Sequence, residues 1–582
     1  MHGFYGRLLR IDLTGGSFRV EEISDQVLAS CLGGKGLGTL LLIKNVKPGA
    51  DPLGPDNCLI FTAGPITGTA VPGSNRYGVF AKSPLTGLYG ESYSGGGVAS
   101  VMRKTGYDAI IIQGRSDKPV YLEISDGCVA FHNAEKLWGK DCYAAEDAVL
   151  EHVGVKGAQA LVIGPAGENL VRFACIENNY WRSAGRTGMG AVMGAKKVKA
   201  LVFHGSARCE PADGAGLKHY VAALVQKGRD NPGVHTYRKY GTPQLVSLMN
   251  TVGGFPSKYW TLGKLPGWES LTGDYLLENF EVQPKTCAPC FMNCGKLTRV
   301  TRGRHAGLAV EGPEYETIYS FGGLCCINDL AEIIFLNDLC DRLGVDTISA
   351  GNLAAFAMAA SARGVLDEKL EYGDVDGVAD LVTRIAHRRG VGDLLAEGVR
   401  PAADKLGVPE LAIHVKGMEP AGYDPRVLHG MGLAYATSPR GACHLRSTFY
   451  KPELSGMIDP KTTAGKAELF IEFEDRLVIY DTLILCRFYR DLVQWGDLVN
   501  LVNLTTGLGT DEKQLRELAG GIVRATRLFN LSQGLSMADD LLPQRFHREP
   551  LENGDVLPED NFRYMLSEYY RLRGWNGEGQ PV

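Results

Sequence analysis

Between residues 1 and about 208, apolar positions fall in short runs broken by glycine and proline. YGRLLRIDL, Cys58 to Ala63, YGVFA, YDAIIIQG, PVYLEI and ALVIGPAG read as strands, and their close spacing points to twisted sheets rather than repeated strand-helix units. Helices are predicted to begin near Leu37, after a glycine run, and to cover Gly97 to Lys104. Beyond LVFHGSARCEPADGAG the period lengthens to that of helices. Leu217 to Val225, Thr242 to Met249, LAEIIFLNDLCDRLGVD, TISAGNLAAFAMAASARG, VADLVTRIAHRRGVGDLLAEGVRPAADKLG, Lys466 to Tyr489 and Asp511 to Asn530 follow it. The polar WNGEGQPV end is expected to fray. The fold class is therefore α+β: a β-rich region over 1-208, then mainly helical regions over 209-410 and 411-582.

A chain of 582 residues has room for several domains and a large core. The formal net charge of -5 with 22% charged residues argues against a nucleic-acid binder. No apolar run is long enough to insert in a membrane, and MHGFYGRLLRIDLTGG turns polar too soon for a signal peptide, so the expected location is the cytoplasm. The 74 glycines mark tight turns and close backbone approaches.

The fourteen cysteines are not spaced as a disulphide framework. TCAPCFMNCGK places Cys287, Cys290 and Cys294 so that three soft thiolates can hold three corners of an iron-sulphur cluster. Zinc accepts the same donors, and plain clustering of buried cysteines is the third reading. A fourth ligand must come from elsewhere. Cys486, beside Arg487 and Arg490, and Cys443, in RGACHLR, both qualify. GGKGLG, PGSNRYG, SGGGVAS and AGRTGMGAVMGAKK can each cradle phosphate or simply turn the chain. EGPEYETIY and ATSPRGACHLR gather acids, bases and aromatics able to move protons, against the plainer reading of ion pairs and a buried histidine.

These motifs occur together with FTAGPITGT, GSNRYGVFAKSPLTG, IGPAGENLVRFA, CDRLGVDTISAG and GMEPAGYDPR, and the chain resembles the tungsten-containing aldehyde ferredoxin oxidoreductase family over nearly its whole length. The resemblance implies a β-rich base domain that binds two pyranopterins, covered by two mainly helical domains. It implies a tungsten bis-pyranopterin (tungstopterin), a 4Fe-4S cluster held by Cys287, Cys290, Cys294 and Cys486, and a Mg2+ ion bridging the pterin phosphates. Pterin contacts would come from Lys35, Gly36, Asn75, Arg76, Gly95, Arg186, Asp341, Gly344, Asp346, Asp481 and Leu485, with Arg76 between cluster and pterin. Lys35 stands where the family commonly has arginine, and Ile484 where it commonly has glycine. Glu316 and His444 fall on positions near tungsten, where His444 would polarise an aldehyde carbonyl and Glu316 would assist the attacking oxygen. Tyr315, Tyr423 and Phe488 are candidate pocket walls. The implied activity is oxidation of an aldehyde to its acid, with electrons passing to ferredoxin or a small iron-sulphur subunit, in a monomer or a homodimer. Reductive dearomatisation of an aryl thioester on the same scaffold, and a cluster-only electron carrier, are the alternatives.

Overall fold

The computed structural model describes residues 1-582. The β-rich region is two six-stranded sheets. In the first, Ser17–Glu22, Arg7–Asp12, Ala109–Gln113, Leu59–Thr62, Tyr77–Lys82 and Tyr89–Ser94 lie side by side in that order. In the second the order is Arg182–Ala184, Ile176–Asn178, Gln159–Val162, Val198–Phe203, Val120–Ser125 and Cys128–Asn133. Each sheet has a single parallel pair, the remaining neighbours being antiparallel, as short connections require. Leu9, Phe61 and Val79 from one sheet share a core with Leu122, Leu161 and Phe203 from the other, so the inward faces pack against each other.

After residue 213 the chain is mainly helical, with Gly214–Arg229, Leu330–Leu343, Thr347–Ala362, Lys466–Leu483, Glu512–Ser532 and Glu559–Leu572 the longest helices. One element was not foreseen from the sequence. Glu281–Lys285, Gly295–Arg299 and Ala309–Glu311 form a small sheet, and the Lys285-Gly295 pair closes the loop that carries Cys287, Cys290 and Cys294. No single helix is long and apolar enough to cross a membrane.

Two expectations need correction. The glycine run does not precede a helix but lies inside it: Gly34–Asn45 begins at Gly34. A Cβ at Gly34 would stand 2.2 Å from the Asp481 carbonyl oxygen, and one at Gly64 2.0 Å from that of Leu483. Glycine thus lets the sheet domain seat the C-terminal end of Lys466–Leu483 backbone to backbone. The WNGEGQPV tail does not fray. Arg527 donates to the Gly579 carbonyl at 2.7 Å, its guanidinium lies 5.2 Å from the Trp575 ring, and Trp575 bridges to Pro581.

Candidate active site

A cavity of about 380 Å³ lies where the rims of both sheets meet the helical half. That falls within the roughly 300-1,000 Å³ of an ordinary ligand pocket. Of the residues expected from sequence, Arg76, Gly95, Arg186, Asp341, Asp346, Asp481, Leu485, Cys294, Glu316 and His444 line it, with Tyr315, Tyr423 and Phe488.

Glu316 stands in a single helical turn, Tyr315–Thr317, that runs into a π-helix, Ile318–Leu324. Such helices are rare and collect at functional sites. Thr242 Oγ1 accepts from the Tyr315 amide at 2.8 Å, and the Tyr315 hydroxyl donates to the Gly422 carbonyl, so the first residue of the turn is held by both its backbone and its side chain. Glu316 Oε2 accepts from the Gly422 amide at 3.0 Å, while Oε1 has no hydrogen-bond partner and lies 3.4 Å from His444 Nε2. Both side chains keep a little exposure, 16% and 12%, through the cavity. Burial pushes the Glu316 carboxyl up to about 8. Burial and the charges of Arg186, Arg440, Arg487 and Arg446 hold His444 well below its usual value. Near neutrality both groups are predominantly uncharged.

Opposite this pair is a buried ionic network. Glu91, in strand Tyr89–Ser94, accepts from Lys35 Nζ at 2.9 Å and pairs with Arg446 at 2.7 Å. Arg446 continues to Asp481 at 3.0 Å, Arg487 also pairs with Asp481, and Arg440 donates to the Glu91 carbonyl at 2.8 Å. Arg186 Nη1, Arg446 Nε and Arg487 Nη1 are buried with no acceptor. Unpaired buried guanidinium N-H groups are costly and suit an anionic ligand. Sequence reasoning missed Glu91, whose signal was a lone acid inside the uncharged strand YGESYS.

Two similar helix ends meet the cavity. Asp341 closes Leu330–Leu343 ahead of left-handed Gly344 (φ 72°, ψ 45°) and Asp346, which caps Thr347–Ala362 through the Ser349 amide. Asp481 closes Lys466–Leu483 ahead of Ile484, in the same left-handed conformation (φ 60°, ψ 40°), then Leu485 and Cys486. Ile484 therefore reproduces the glycine backbone, although a β-branched residue there is strained. Four expected contacts lie outside the cavity lining. Gly344 packs on Gly164, Gly36 packs on the Cys31 carbonyl, and Asn75 bridges the Gly96 carbonyl and the Ser100 amide. Lys35 lines a small separate space of about 20 Å³ with Arg446 and Asp481.

The cysteine loop abuts the same cavity. Gly96 donates to Cys287 Sγ at 3.3 Å, Cys290 Sγ lies 3.2 Å from the Tyr489 hydroxyl, and the Gly73 amide donates to the Pro289 carbonyl at 2.9 Å. Cys486 joins this group, its amide donating to the Gly73 carbonyl at 3.0 Å. Burial raises the Cys486 thiol, and the Arg76 guanidinium opposes the shift. A Cβ at Gly95 would come within 2.9 Å of Cys287 Sγ and 3.6 Å of Arg76. Cys443 is engaged elsewhere: Arg440 donates to its sulphur at 2.9 and 3.2 Å and the Leu445 amide at 3.3 Å. Burial opposes its ionisation, yet Arg440 and Arg446 bring this thiol down to about 6.

The N-terminal-domain model of aldehyde ferredoxin oxidoreductase matches residues 8-205, and the model of its domains 2 and 3 matches residues 219-582. The chain belongs to the aldehyde ferredoxin oxidoreductase family. It is 38% identical to the tungsten-containing aldehyde ferredoxin oxidoreductases of Pyrococcus furiosus and of Thermococcus kodakarensis, covering 100% of this chain and 98% of each relative. A solved structure of the active site complex of benzoyl coenzyme A reductase with 1,5-dienoyl-CoA shares the fold, with a TM-score of 0.85, 22% identity and coverage of 100% and 96%. The aldehyde ferredoxin oxidoreductase family implies a tungstopterin and a 4Fe-4S cluster, and two observations fit those groups. The orphaned guanidinium N-H groups suit phosphorylated pterins. Cys287 and Cys290 act electrostatically on Cys486, and Cys486 on Cys294, and four soft thiolates brought together suit an iron-sulphur cluster.

Proposed function

We propose that this chain oxidises aldehydes to carboxylic acids in this cavity, the electrons leaving singly through a 4Fe-4S cluster on Cys287, Cys290, Cys294 and Cys486 to a ferredoxin or small iron-sulphur protein. The observation that carries the reading is that the uncharged Glu316-His444 pair, the orphaned guanidinium N-H groups and a cluster cysteine, Cys294, share one cavity. A tungsten bis-pterin, when bound, supplies the two-electron redox chemistry.

The chain's own residues bind, orient and move protons. Arg186, Arg446 and Arg487 would hold pterin phosphates, and Asp341, Asp346, Asp481 and Leu485 would contact the pterin rings at the two helix ends. A Mg2+ ion bridging those phosphates belongs to the same proposal. Arg76, between Cys486 and the cavity, would bridge cluster and pterin. An N-H of His444 hydrogen-bonds the aldehyde oxygen, and Glu316 in its ionised form accepts a proton from the attacking water. Overall, aldehyde and water give the acid, with two electrons passed to the cluster side and two protons released. Relatives matched over their full length favour this reading, whereas aryl-thioester reduction has only the shared fold behind it.

The test is metal analysis of anaerobically purified protein with a viologen-linked aldehyde assay. About one tungsten and about four irons per chain are expected, with turnover of aldehydes. Zinc alone, or no turnover by metal-replete protein, overturns the reading.

A further inference from the structure

The part of the cavity next to the Glu316-His444 pair has a different character from the arginine wall. Tyr423 stacks on His444 at 5.7 Å and on Tyr450 at 4.1 Å, nearly parallel at 11°. Tyr315 lies 5.4 Å from Tyr423 on one side. Beyond Tyr450, Tyr237 packs against Phe488 at 4.7 Å, and Leu245 completes the stretch. All six line the cavity, yet they come from distant parts of the chain. Arg490 lies over the Tyr450 ring at 6.0 Å and Lys451 over that of Tyr237 at 5.9 Å, and neither lines the cavity. The lining guanidiniums belong to the arginine wall: Arg446 and Arg487 pair with Asp481, and the N-H groups of Arg186, Arg446 and Arg487 left without an acceptor are those assigned above to the pterin phosphates.

Aromatic walls favour a flat, apolar guest through offset and edge contacts, each worth about 0.5-1.5 kcal/mol beyond simple burial. An anionic tail at this end would lose its hydration without gaining a cation. We propose that the substrates of this cavity are uncharged aromatic aldehydes, the carbonyl at Glu316 and His444 and the ring held among Tyr423, Tyr450, Tyr237 and Phe488. This inference rests on the aldehyde-oxidising reading of the same cavity. Small aliphatic aldehydes fill the wall poorly, and phosphorylated or carboxylated aldehydes meet no counter-charge.

The experiment uses metal-loaded holoenzyme and two independent readouts. In viologen-linked assays, kcat/KM for benzaldehyde exceeds that for acetaldehyde by about tenfold or more, and glyceraldehyde 3-phosphate is the poorest of the three. In calorimetric titration, benzoate binds about tenfold or more tightly than acetate. Tyr237→Leu and Phe488→Leu, on separate elements and checked for iron content, each reduce both ratios. Equal binding of benzoate and acetate by the unaltered holoenzyme overturns the proposal, as does a better kcat/KM for the phosphorylated aldehyde. Turnover of none of the aldehydes overturns the oxidation reading instead, and the benzoate-acetate comparison still decides whether the pocket is built for a ring.

Discussion

His444 Nε2 and Glu316 Oε1 lie 3.4 Å apart, and near pH 7 the two groups form a predominantly neutral pair rather than an ion pair. Burial favours the uncharged form of both, and the surrounding arginines further disfavour a charged imidazole. Moving the proton from Glu316 to His444 would create the charged pair that burial and the arginines disfavour, so His444 serves as a neutral hydrogen-bonding group and Glu316 as a base only once ionised.

Glu316→Gln should lower aldehyde turnover by about a hundredfold or more, while activity of the unaltered enzyme rises as pH approaches and passes about 8. The stability effect has the opposite sense. The native carboxyl stays protonated up to about 8, whereas an unfolded glutamate ionises near its ordinary value, so the native state loses stability as pH rises between the two. Thermal melts at pH 8 should place Glu316→Gln above the unaltered protein.

Glu91→Gln should destabilise the fold by about 3-5 kcal/mol, because it leaves Lys35 and Arg446 buried without their shared counter-charge. Burial alone would raise the Glu91 carboxyl, but Arg446, Lys35 and Arg440 hold it far below its usual value. Its contribution is therefore complete above the ordinary glutamate range and fades only as pH falls toward the depressed value. Urea titrations at pH 7 and in acid measure both parts.

Cys486→Ser and Cys443→Ser should separate cleanly. The first loses cluster iron and its optical absorption, since Cys486 stands with the three loop cysteines and Arg76. The second keeps its iron, because Cys443 serves Arg440 and the Leu445 amide. Iron assay of the two variants is the check, and iron loss from Cys443→Ser alone would reverse the assignment.

The two left-handed helix ends predict unequal responses. Ile484→Gly removes strain of about 1-2 kcal/mol and loses side-chain burial of about 1.5-3 kcal/mol, so its net effect on stability is small. Gly344→Ala costs more than it gains, since its Cβ would stand 3.0 Å from the Gly164 amide at φ 72°. Parallel denaturation curves compare them.

The sequence by itself determined the strand-rich start and helical remainder, because periods of two and of 3.6 residues are local properties. It also determined the cysteine triplet, whose spacing is written in consecutive residues, and the family that the whole motif string resembles. The tertiary structure decided what lies between distant segments. Gly34 and Gly64 were legible as glycines, but only the fold showed that they seat the end of Lys466–Leu483 and so bring Asp481 and Cys486 to the sheet domain. Glu91 was one acid in a short strand until Lys35 and Arg446 arrived beside it from either side in sequence. The aromatic wall is drawn from Tyr237, Tyr315, Tyr423, Tyr450 and Phe488. No local pattern encodes such a surface, because its members meet only through long-range packing, where burial and neighbouring charge set their chemistry.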